Sequence, residues 1–234
     1  MRFHVITIFP DIFDSYLNES IIGRAIKNKH ISVKFYNPRD FTRPAKLKQS
    51  GVKDNGYRPV DDRPYGGGPG MVMRAEPLLK AVAKALSLSK GKSRKVLIIN
   101  FIPTAEKFTT NFAKKVSKKY TDIILICGRY EGIDARVDKI LKTKKLSIGD
   151  YVLTGGEIPA MILIDCVSRQ IPRVLGKYES LEEERVSSSE VYTRPEILKY
   201  PFDNAQGKKS KNYKVPKVLL SGNHAEIEKW KLKK

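Results

Sequence analysis

Short apolar runs alternate with amphipathic stretches along the first half of the chain. Four runs have the length and side chains of β-strands: residues 3–8, 31–36, 96–101 and 123–127. Between them, apolar residues recur at helical spacing from Ile12 to Ala25, and residues 77–86 and 107–116 also have the periodicity of helices. Strands that alternate with helices are typical of a parallel sheet covered by helices. The pattern therefore predicts an α/β fold.

Two segments interrupt this pattern. Residues 41–70 lack periodicity and are rich in Gly, Pro, Asp and Lys, which is typical of a binding loop. Residues 176–190 (GKYESLEEERVSSSE) are polar, charged and rich in Ser, as expected for a linker with little core of its own. We therefore expect an α/β domain over residues 1–175, a flexible linker over 176–190 and a small, mainly helical domain over 191–234.

Of all the properties of the composition, the net charge says most about the binding partner. The formal net charge is +20, and a surface this basic attracts polyanions and releases their counterions on binding. Nucleic acid is the expected partner, although lysines that only coat a solvated surface explain part of the charge. No apolar run reaches the length of a membrane span, and the N-terminus resembles a strand more than a signal peptide. We therefore expect no membrane association and a cytoplasmic location.

The few cysteines and histidines argue against disulfide and metal chemistry. Cys127 and Cys166 lie in apolar surroundings that fit reduced, packed thiols. His4, His30 and His224 are too scattered to form a recognisable zinc-ligand spacing with them. We therefore expect no metal site.

Three glycine-rich segments carry candidate chemistry. Tyr65–Met71 (YGGGPGM) matches neither the P-loop nor the dinucleotide fingerprint, so a plain turn explains it. Cys127–Asp134 (CGRYEGID) begins where a buried strand ends, which is where open α/β sheets bind ligands. Its Arg129 and Glu131 fit a simple surface ion pair. Ser147–Met161 (SIGDYVLTGGEIPAM) sets glycines among apolar side chains and leads into a helix, so its backbone is suited to lining a flat aromatic ring.

Together these segments resemble a known family. DDRPYGGGPGMVM, CGRYEGID, SIGDYVLTGGEIPAM, YTRP and VLLSGNHAEIEKW occur in the order found in the bacterial tRNA (guanine-N1)-methyltransferase family, and the likeness extends from residue 1 to about residue 230. The resemblance implies a SPOUT-type parallel sheet with a deep trefoil knot, S-adenosylmethionine as the cofactor and tRNA as the partner. It also implies a homodimer with active sites at the interface, and methyl transfer to N1 of the guanosine 3′ to the anticodon (position 37). Periodicity alone does not predict the knot.

The resemblance also assigns the site. Three loops are implied to hold the cofactor through Phe101, Pro103, Gly128, Tyr130, Glu131, Ile148, Gly149, Tyr151, Leu153, Gly155, Gly156 and Pro159. For Ile148, packing and cofactor binding are equally open. Arg169 matches the family arginine that neutralises charge on guanine O6, and a helix-terminal charge is the alternative. Glu184 matches the position of the general base, and a solvated charge run is the alternative.

Two departures from the family pattern bear on that site. Where the family commonly has Asp-Ser-Phe, this chain has Glu184-Arg185-Val186, and the preceding Glu182 and Glu183 leave the register open by one or two residues. A Glu has an unperturbed pKa of about 4.3, close to the value of about 3.9 for Asp, but a longer reach. Residues 101–105 (FIPTA) stand where the family usually has a Ser-Pro-Gln-Gly sequence, so Ala replaces the Gly there.

Candidate RNA contacts lie in the last 45 residues. The lysines of an acid-free cluster, with Tyr213 among them, are suited to following phosphates, and a solvated loop is the alternative. The candidate RNA-binding residues are Arg194, Lys208, Lys209, Lys211, Asn223 and His224, and His224 fits a helix cap as well. Two other functions stay open: a knotted methyltransferase that acts on another RNA, and a basic tRNA-binding protein without catalysis.

Overall fold

The computed structural model describes residues 1–44, 56–87, 94–175, 190–200 and 210–232. The chain divides into two compact units, Met1–Gly176 and Lys177–Lys234. The first unit also contains two short 3-10 helices, Pro10–Phe13 and Pro38–Phe41. Its strands and α-helices are, in chain order, β1 (Arg2–Ile6), α1 (Asp14–Leu17), α2 (Ser20–Lys27), β2 (Ser32–Tyr36), β3 (Asp61–Asp62), β4 (Val72–Met73), α3 (Ala75–Ser87), β5 (Val96–Phe101), α4 (Thr110–Lys119), β6 (Asp122–Ile126), α5 (Ala135–Leu141), β7 (Lys144–Leu146) and α6 (Glu157–Ser168).

The main sheet is parallel throughout and has the strand order β2-β1-β6-β5-β7. The α/β class and the four predicted strands are therefore confirmed, whereas β7 and the small antiparallel sheet of β3 and β4 were not predicted. The trefoil knot implied by the resemblance stays a prediction. Because all five strands run the same way, the carboxyl ends of β6, β5 and β7 meet at one edge of the sheet.

The core lies on both faces of this sheet. Every residue of β6 is buried, and side chains alternate across a strand. Ile123 and Leu125 pack with the side chains of α1, α2, α4 and α6, and Ile124 and Ile126 pack with those of α3 and α5. A sheet covered by helices on both sides needs strands that are apolar on both faces, which explains the uninterrupted aliphatic run of β6.

Two helix predictions need correction. The helical face predicted from Ile12 to Ala25 is split into a 3-10 helix, α1 and α2, because Ser20 has a φ of +50° between α1 and the rest of α2. Ile12 and Tyr16, predicted on the buried face, are 41% and 40% exposed. The helix predicted over 107–116 begins at Thr110, since the Thr109 side chain caps it by accepting a hydrogen bond from the Phe112 amide at 3.2 Å.

A buried carboxylate lies at the other edge of the sheet, where β1 and β6 begin. The fully buried Asp122 contacts Arg2 at 2.8 Å, His4 at 2.9 Å and the Arg94 Nε at 2.8 Å. Burial acts to raise the pKa of Asp122, but hydrogen bonds from Arg94, Arg2 and His4 outweigh it and hold that pKa well below its usual range. Burial also lowers the pKa of His4, so the imidazole is neutral at neutral pH.

The second unit contains a β-hairpin that was not predicted. Its elements are β8 (Ile197–Tyr200), β9 (Lys211–Lys214), α7 (Lys217–Leu220) and α8 (His224–Leu232). β8 and β9 are antiparallel, and every residue in both strands is exposed. In the parts of the chain that the structure describes, no helix is long and apolar enough to cross a membrane.

Candidate functional site

A cavity of about 480 Å³ opens at the carboxyl ends of β6, β5 and β7. This size is typical of a small-molecule site. Three loops line it, one after each of these strands, and most of the predicted cofactor residues lie in or beside these loops. The lining residues that were predicted are Phe101, Pro103, Gly128, Tyr130, Glu131, Ile148, Tyr151, Leu153, Gly155, Gly156 and Pro159.

Backbone hydrogen bonds hold the three loops together. The Ile102 amide donates to the Leu146 carbonyl at 2.9 Å, and the Phe108 amide donates to the Ser147 carbonyl at 2.7 Å, so the first and third loops are joined. The Gly156 amide donates to the Gly128 carbonyl at 3.0 Å, which joins the third loop to the second. The cavity is therefore a preformed feature of the backbone.

Gly156 is required where the third loop meets the end of β6. A Cβ at this position would lie 2.6 Å from the Cys127 Cα and 3.0 Å from the Gly128 amide nitrogen, and backbone cannot move aside as a flexible side chain does. Gly149 differs from the other predicted residues because it does not line the cavity. Its amide donates to the Ser147 Oγ at 3.2 Å, and it packs beneath the Tyr151 ring.

Alanine at position 156 is expected to destabilise the fold by about 1–3 kcal/mol, since the added methyl group overpacks a backbone contact. Gly128→Ala is the matched control, because its Cβ meets only the Ile133 Cγ2 at 3.4 Å, an ordinary contact. Urea unfolding of the two variants measures the difference. Equal losses at both positions, or no loss at position 156, would contradict the requirement.

Arg129 forms its ion pair with Glu157, which corrects the predicted surface pair with Glu131. The Arg129 Nε lies 2.9 Å from the Glu157 Oε2, and the two side chains are 19% and 2% exposed. Glu157 also accepts a hydrogen bond from the Thr7 Oγ1 at 2.9 Å. The Arg129 Nη1 donates to the Thr154 carbonyl at 3.3 Å. This pair thus connects the end of β1, the second loop and the third loop.

The turn at Tyr65–Met71 supports the second loop from outside. The Glu131 amide donates to the Met71 carbonyl at 3.0 Å, and the Asp134 amide donates to the Met73 carbonyl at 2.9 Å. Gly70 has a φ of +81° and its Cα lies against the Glu131 side chain, so only glycine fits there. The glycine run therefore braces the cavity wall and does not itself line the cavity.

Three polar lining residues were missed by the sequence prediction. Asn100, Asp138 and Lys145 line the cavity beneath the second loop. The Asn100 Nδ2 donates to the Asp138 Oδ1 at 3.0 Å, and the Lys145 Nζ lies 3.2 Å from the Asp138 Oδ2. The one signal in the sequence is the position of Asn100 near the carboxyl end of a buried strand, where a polar side chain is unusual.

Arg169, the predicted stabiliser of the charge on O6, does not line the described cavity. Arg169 follows the last residue of α6, ten residues after Pro159 at the cavity end, and a helix rises 1.5 Å per residue, so Arg169 lies about 15 Å farther along the axis. Glu184 lies outside the described residues. The cavity of a single chain therefore lacks the arginine that the resemblance assigns to catalysis.

The predicted RNA contacts belong to the second unit. Arg194, Lys211, Asn223 and His224 are all exposed, whereas Lys208 and Lys209 lie outside the described residues. His224 is the first residue of α8, and the Asn223 side chain accepts a hydrogen bond from the Glu226 amide at 3.4 Å. The structure thus gives the helix-capping contact to Asn223.

The described residues beside the cavity offer neither an activated thiol nor a metal-binding cluster. Cys127 is fully buried, and burial, followed by the charge of Glu157, raises the pKa of its thiol well above the usual range. A thiol with a raised pKa is a poor nucleophile. Within the described ranges, no group of three or more His, Cys, Asp or Glu side chains is placed to hold a metal ion.

Comparisons with known proteins give concordant results. The family model described as tRNA (Guanine-1)-methyltransferase TrmD matches residues 1–234. A tRNA (guanine-N(1)-)-methyltransferase of Buchnera aphidicola subsp. Acyrthosiphon pisum is 43% identical, covering 99% of this chain and 88% of the relative. One from Clostridioides difficile is 42% identical, covering 99% and 90%. The crystal structure of tRNA (m1G37) methyltransferase from Aquifex aeolicus has a TM-score of 0.71 at 38% identity, covering 99% of this chain and 88% of that chain.

Proposed function

Because the chain belongs to the tRNA (guanine-N1)-methyltransferase family, and so methylates guanine N1 of tRNA, we propose that its methyl donor is S-adenosylmethionine and its target the guanosine 3′ to the anticodon. The Aquifex aeolicus enzyme is described as an m1G37 methyltransferase, which supports this target position. A tRNA substrate also favours the cytoplasm as the place of the reaction. The observation that carries the proposal is the cavity at the ends of β6, β5 and β7.

The residues present fit an S-adenosylmethionine molecule. Gly155 and Gly156 line the cavity and present backbone without side chains to it, and Ile148, Tyr151 and Leu153 offer apolar surface for an adenine ring. Bound there, the cofactor supplies a methyl group activated by its positively charged sulfur. Loop amides and carbonyls would orient it, and the apolar side chains would exclude water.

Two side chains of this chain complete the reaction in our proposal. Guanine N1 carries a proton, and we assign its removal to the Glu184 carboxylate. Negative charge then builds on O6, and we assign its stabilisation to the Arg169 guanidinium, which keeps its proton at any physiological pH. The target base must leave its stack to reach either group, as in other enzymes that modify bases.

A homodimer explains how Arg169 reaches a cavity. Five large side chains of the first unit are exposed near the start of the chain and along α6, and they would be covered by a second copy: Phe9, Ile12, Tyr16, Ile158 and Ile162. Exposed apolar surface of this kind marks interaction sites. We propose that the second copy brings its Arg169 and Glu184 to the cavity of the first, which is incomplete without them.

The proposal is tested with labelled S-adenosylmethionine and unmodified tRNA transcripts that carry G or A beside the anticodon. We expect methyl transfer to the G transcript alone. In adenine, N1 carries no proton for a base to remove, and the ring has an amino group in place of O6. Mapping the modified nucleotide separates this target from another guanosine. Transfer to both transcripts or to neither would refute the proposed target. If calorimetry detects no binding of S-adenosylmethionine to the protein, the proposed donor is refuted.

A further inference from the structure

A basic and aromatic surface adjoins the cavity on the outer side of the second loop. It consists of Arg39, Tyr57, Arg58 and Tyr130, which we call the platform. Tyr57 is 47% exposed and Tyr130 is 45% exposed, and Tyr130 also lines the cavity. The platform is therefore continuous with the cavity wall.

The two arginines of the platform are held by backbone groups. The Arg39 Nη1 donates to the Arg58 carbonyl at 2.8 Å, and the Arg58 Nη1 donates to the Thr42 carbonyl at 2.7 Å. The Arg39 Cζ lies over the Tyr57 ring, 5.6 Å from its centre. Each arginine thus binds the segment that carries the other, and both guanidinium groups are ordered before any ligand arrives.

This arrangement leaves positive charge and donors available. The ion pairs within the described part of the chain include neither Arg39 nor Arg58. A guanidinium has five N–H donors, and each of these carbonyl contacts uses one of them. Arginine groups ordered in advance lose little entropy when they bind phosphate, and their planar donors match its oxygens.

Tyr130 connects the platform to the cavity. Its φ of +60° is rare for a residue with a side chain, and the turn behind it is fixed by Gly132, with a φ of +121°. Burial, followed by the charge of Asp61, raises the pKa of the Tyr130 phenol, so it stays protonated. The charge of the Arg39 guanidinium acts to lower that pKa.

We propose that the platform binds the RNA strand beside the target nucleotide, with a base stacked on Tyr57 and backbone phosphates on Arg39 and Arg58. The inference rests on the proposed function, because it needs the target base to enter the adjoining cavity. RNA is the partner that fits, since an aromatic face between cations suits a single strand, whereas a protein partner would meet little apolar area here. The net charge of +20 favours the same partner.

The test measures tRNA binding by the full chain at several salt concentrations, together with cofactor binding. Tyr57→Leu keeps much of the volume but removes the aromatic face, and we expect about 10-fold weaker tRNA binding. Tyr57→Trp should restore it. Arg58→Gln keeps a donor for the Thr42 carbonyl but removes the charge, so the slope of log K against log salt should fall by about 1.

Arg24→Gln is the matched control, because Arg24 is exposed on α2, which packs on the other face of the sheet. It should leave tRNA binding and the salt slope unchanged, and all four variants should bind cofactor as the wild type does. If the wild type methylates tRNA but Tyr57→Leu and Arg58→Gln bind it unchanged, the platform is wrong while the function stands. If both variants bind weakly but the wild type transfers no methyl group, the platform stands and the catalytic proposal fails. A wild type that does not bind tRNA refutes both.

Discussion

Glu184→Gln is expected to lower kcat by about 10²–10⁴-fold, the usual contribution of a general base, while tRNA and cofactor binding stay nearly unchanged. Glutamine has the size of glutamate and still accepts a hydrogen bond, but it cannot take the N1 proton. Single-turnover rates with saturating cofactor measure the effect. The wild-type rate should also rise with pH through the pKa of the base, and this rise should disappear in the variant.

The neighbouring glutamates provide matched controls for that assignment. Glu182→Gln and Glu183→Gln remove the same charge from the same acidic run, so they should retain nearly full kcat. Glu184→Asp should retain part of the activity, because a carboxylate remains at a shorter reach. A large loss at Glu183 alone would move the base by one residue, and full activity in all three Gln variants would exclude a base in this run.

Asp122→Asn is expected to lower the free energy of unfolding by about 3–5 kcal/mol, the typical loss when one partner of a buried ion pair is removed. Asp122 is fully buried, and the Arg94 side chain is only 10% exposed. The Arg94 guanidinium therefore cannot be fully solvated after its carboxylate partner is removed. The amide replaces one acceptor oxygen with donors that face the donors of Arg2 and Arg94. Urea unfolding at pH 7 measures the loss.

At acid pH, the difference in the free energy of unfolding between the wild type and Asp122→Asn should become smaller. The pKa of Asp122 is lower in the folded chain than in the unfolded chain, so its contribution is present above the unfolded value and is lost as the pH falls toward the folded value. The variant lacks this contribution, so the gap should shrink below about pH 4. Glu76→Gln, which removes an exposed pair with Lys80, should leave the unfolding midpoint nearly unchanged. A constant gap from pH 7 to pH 3 would contradict the assigned role of Asp122.

Local pattern was enough to predict the central strands. β5 and β6 are mostly aliphatic runs of strand length with one helix, α4, between them, and burial on both faces makes such runs continuous. β7 gives no such signal, because it is three residues long and two of them are lysines. Lys144 pairs with Glu106, and Lys145 pairs with Asp138. Glu106 is distant in sequence and Asp138 lies on another element, so neither partner could be predicted from the residues around β7.

The hairpin of β8 and β9 escaped prediction for a different reason. Alternation between apolar and polar residues arises when one face of a strand is buried, and neither strand has a buried face. Its exposed side chains mix apolar, aromatic and basic residues without a period, so the sequence indicated a basic segment within a small, mainly helical domain.

The candidate site was located by family resemblance more than by pattern. Eleven of the twelve predicted cofactor residues line one cavity, whereas the pattern alone assigned Tyr65–Met71 to a turn and gave no ligand for the other two glycine-rich segments. The pair of Arg129 with Glu157 and the contacts of Asp122 join residues far apart in the chain. No local pattern indicates such partners, since they become neighbours only when the sheet assembles.

The strand order also has a consequence for synthesis on the ribosome. β1 lies between β2 and β6, and Arg2 meets Asp122 across 120 residues of sequence. At the usual synthesis rate of 5–20 residues per second, the β6 side of β1 stays unpaired for about 6–24 s while the chain grows. Phe3 and Val5 lie in that strand, so the emerging chain carries an apolar edge open to aggregation, and protection by a chaperone would matter most before residue 126 has left the exit tunnel.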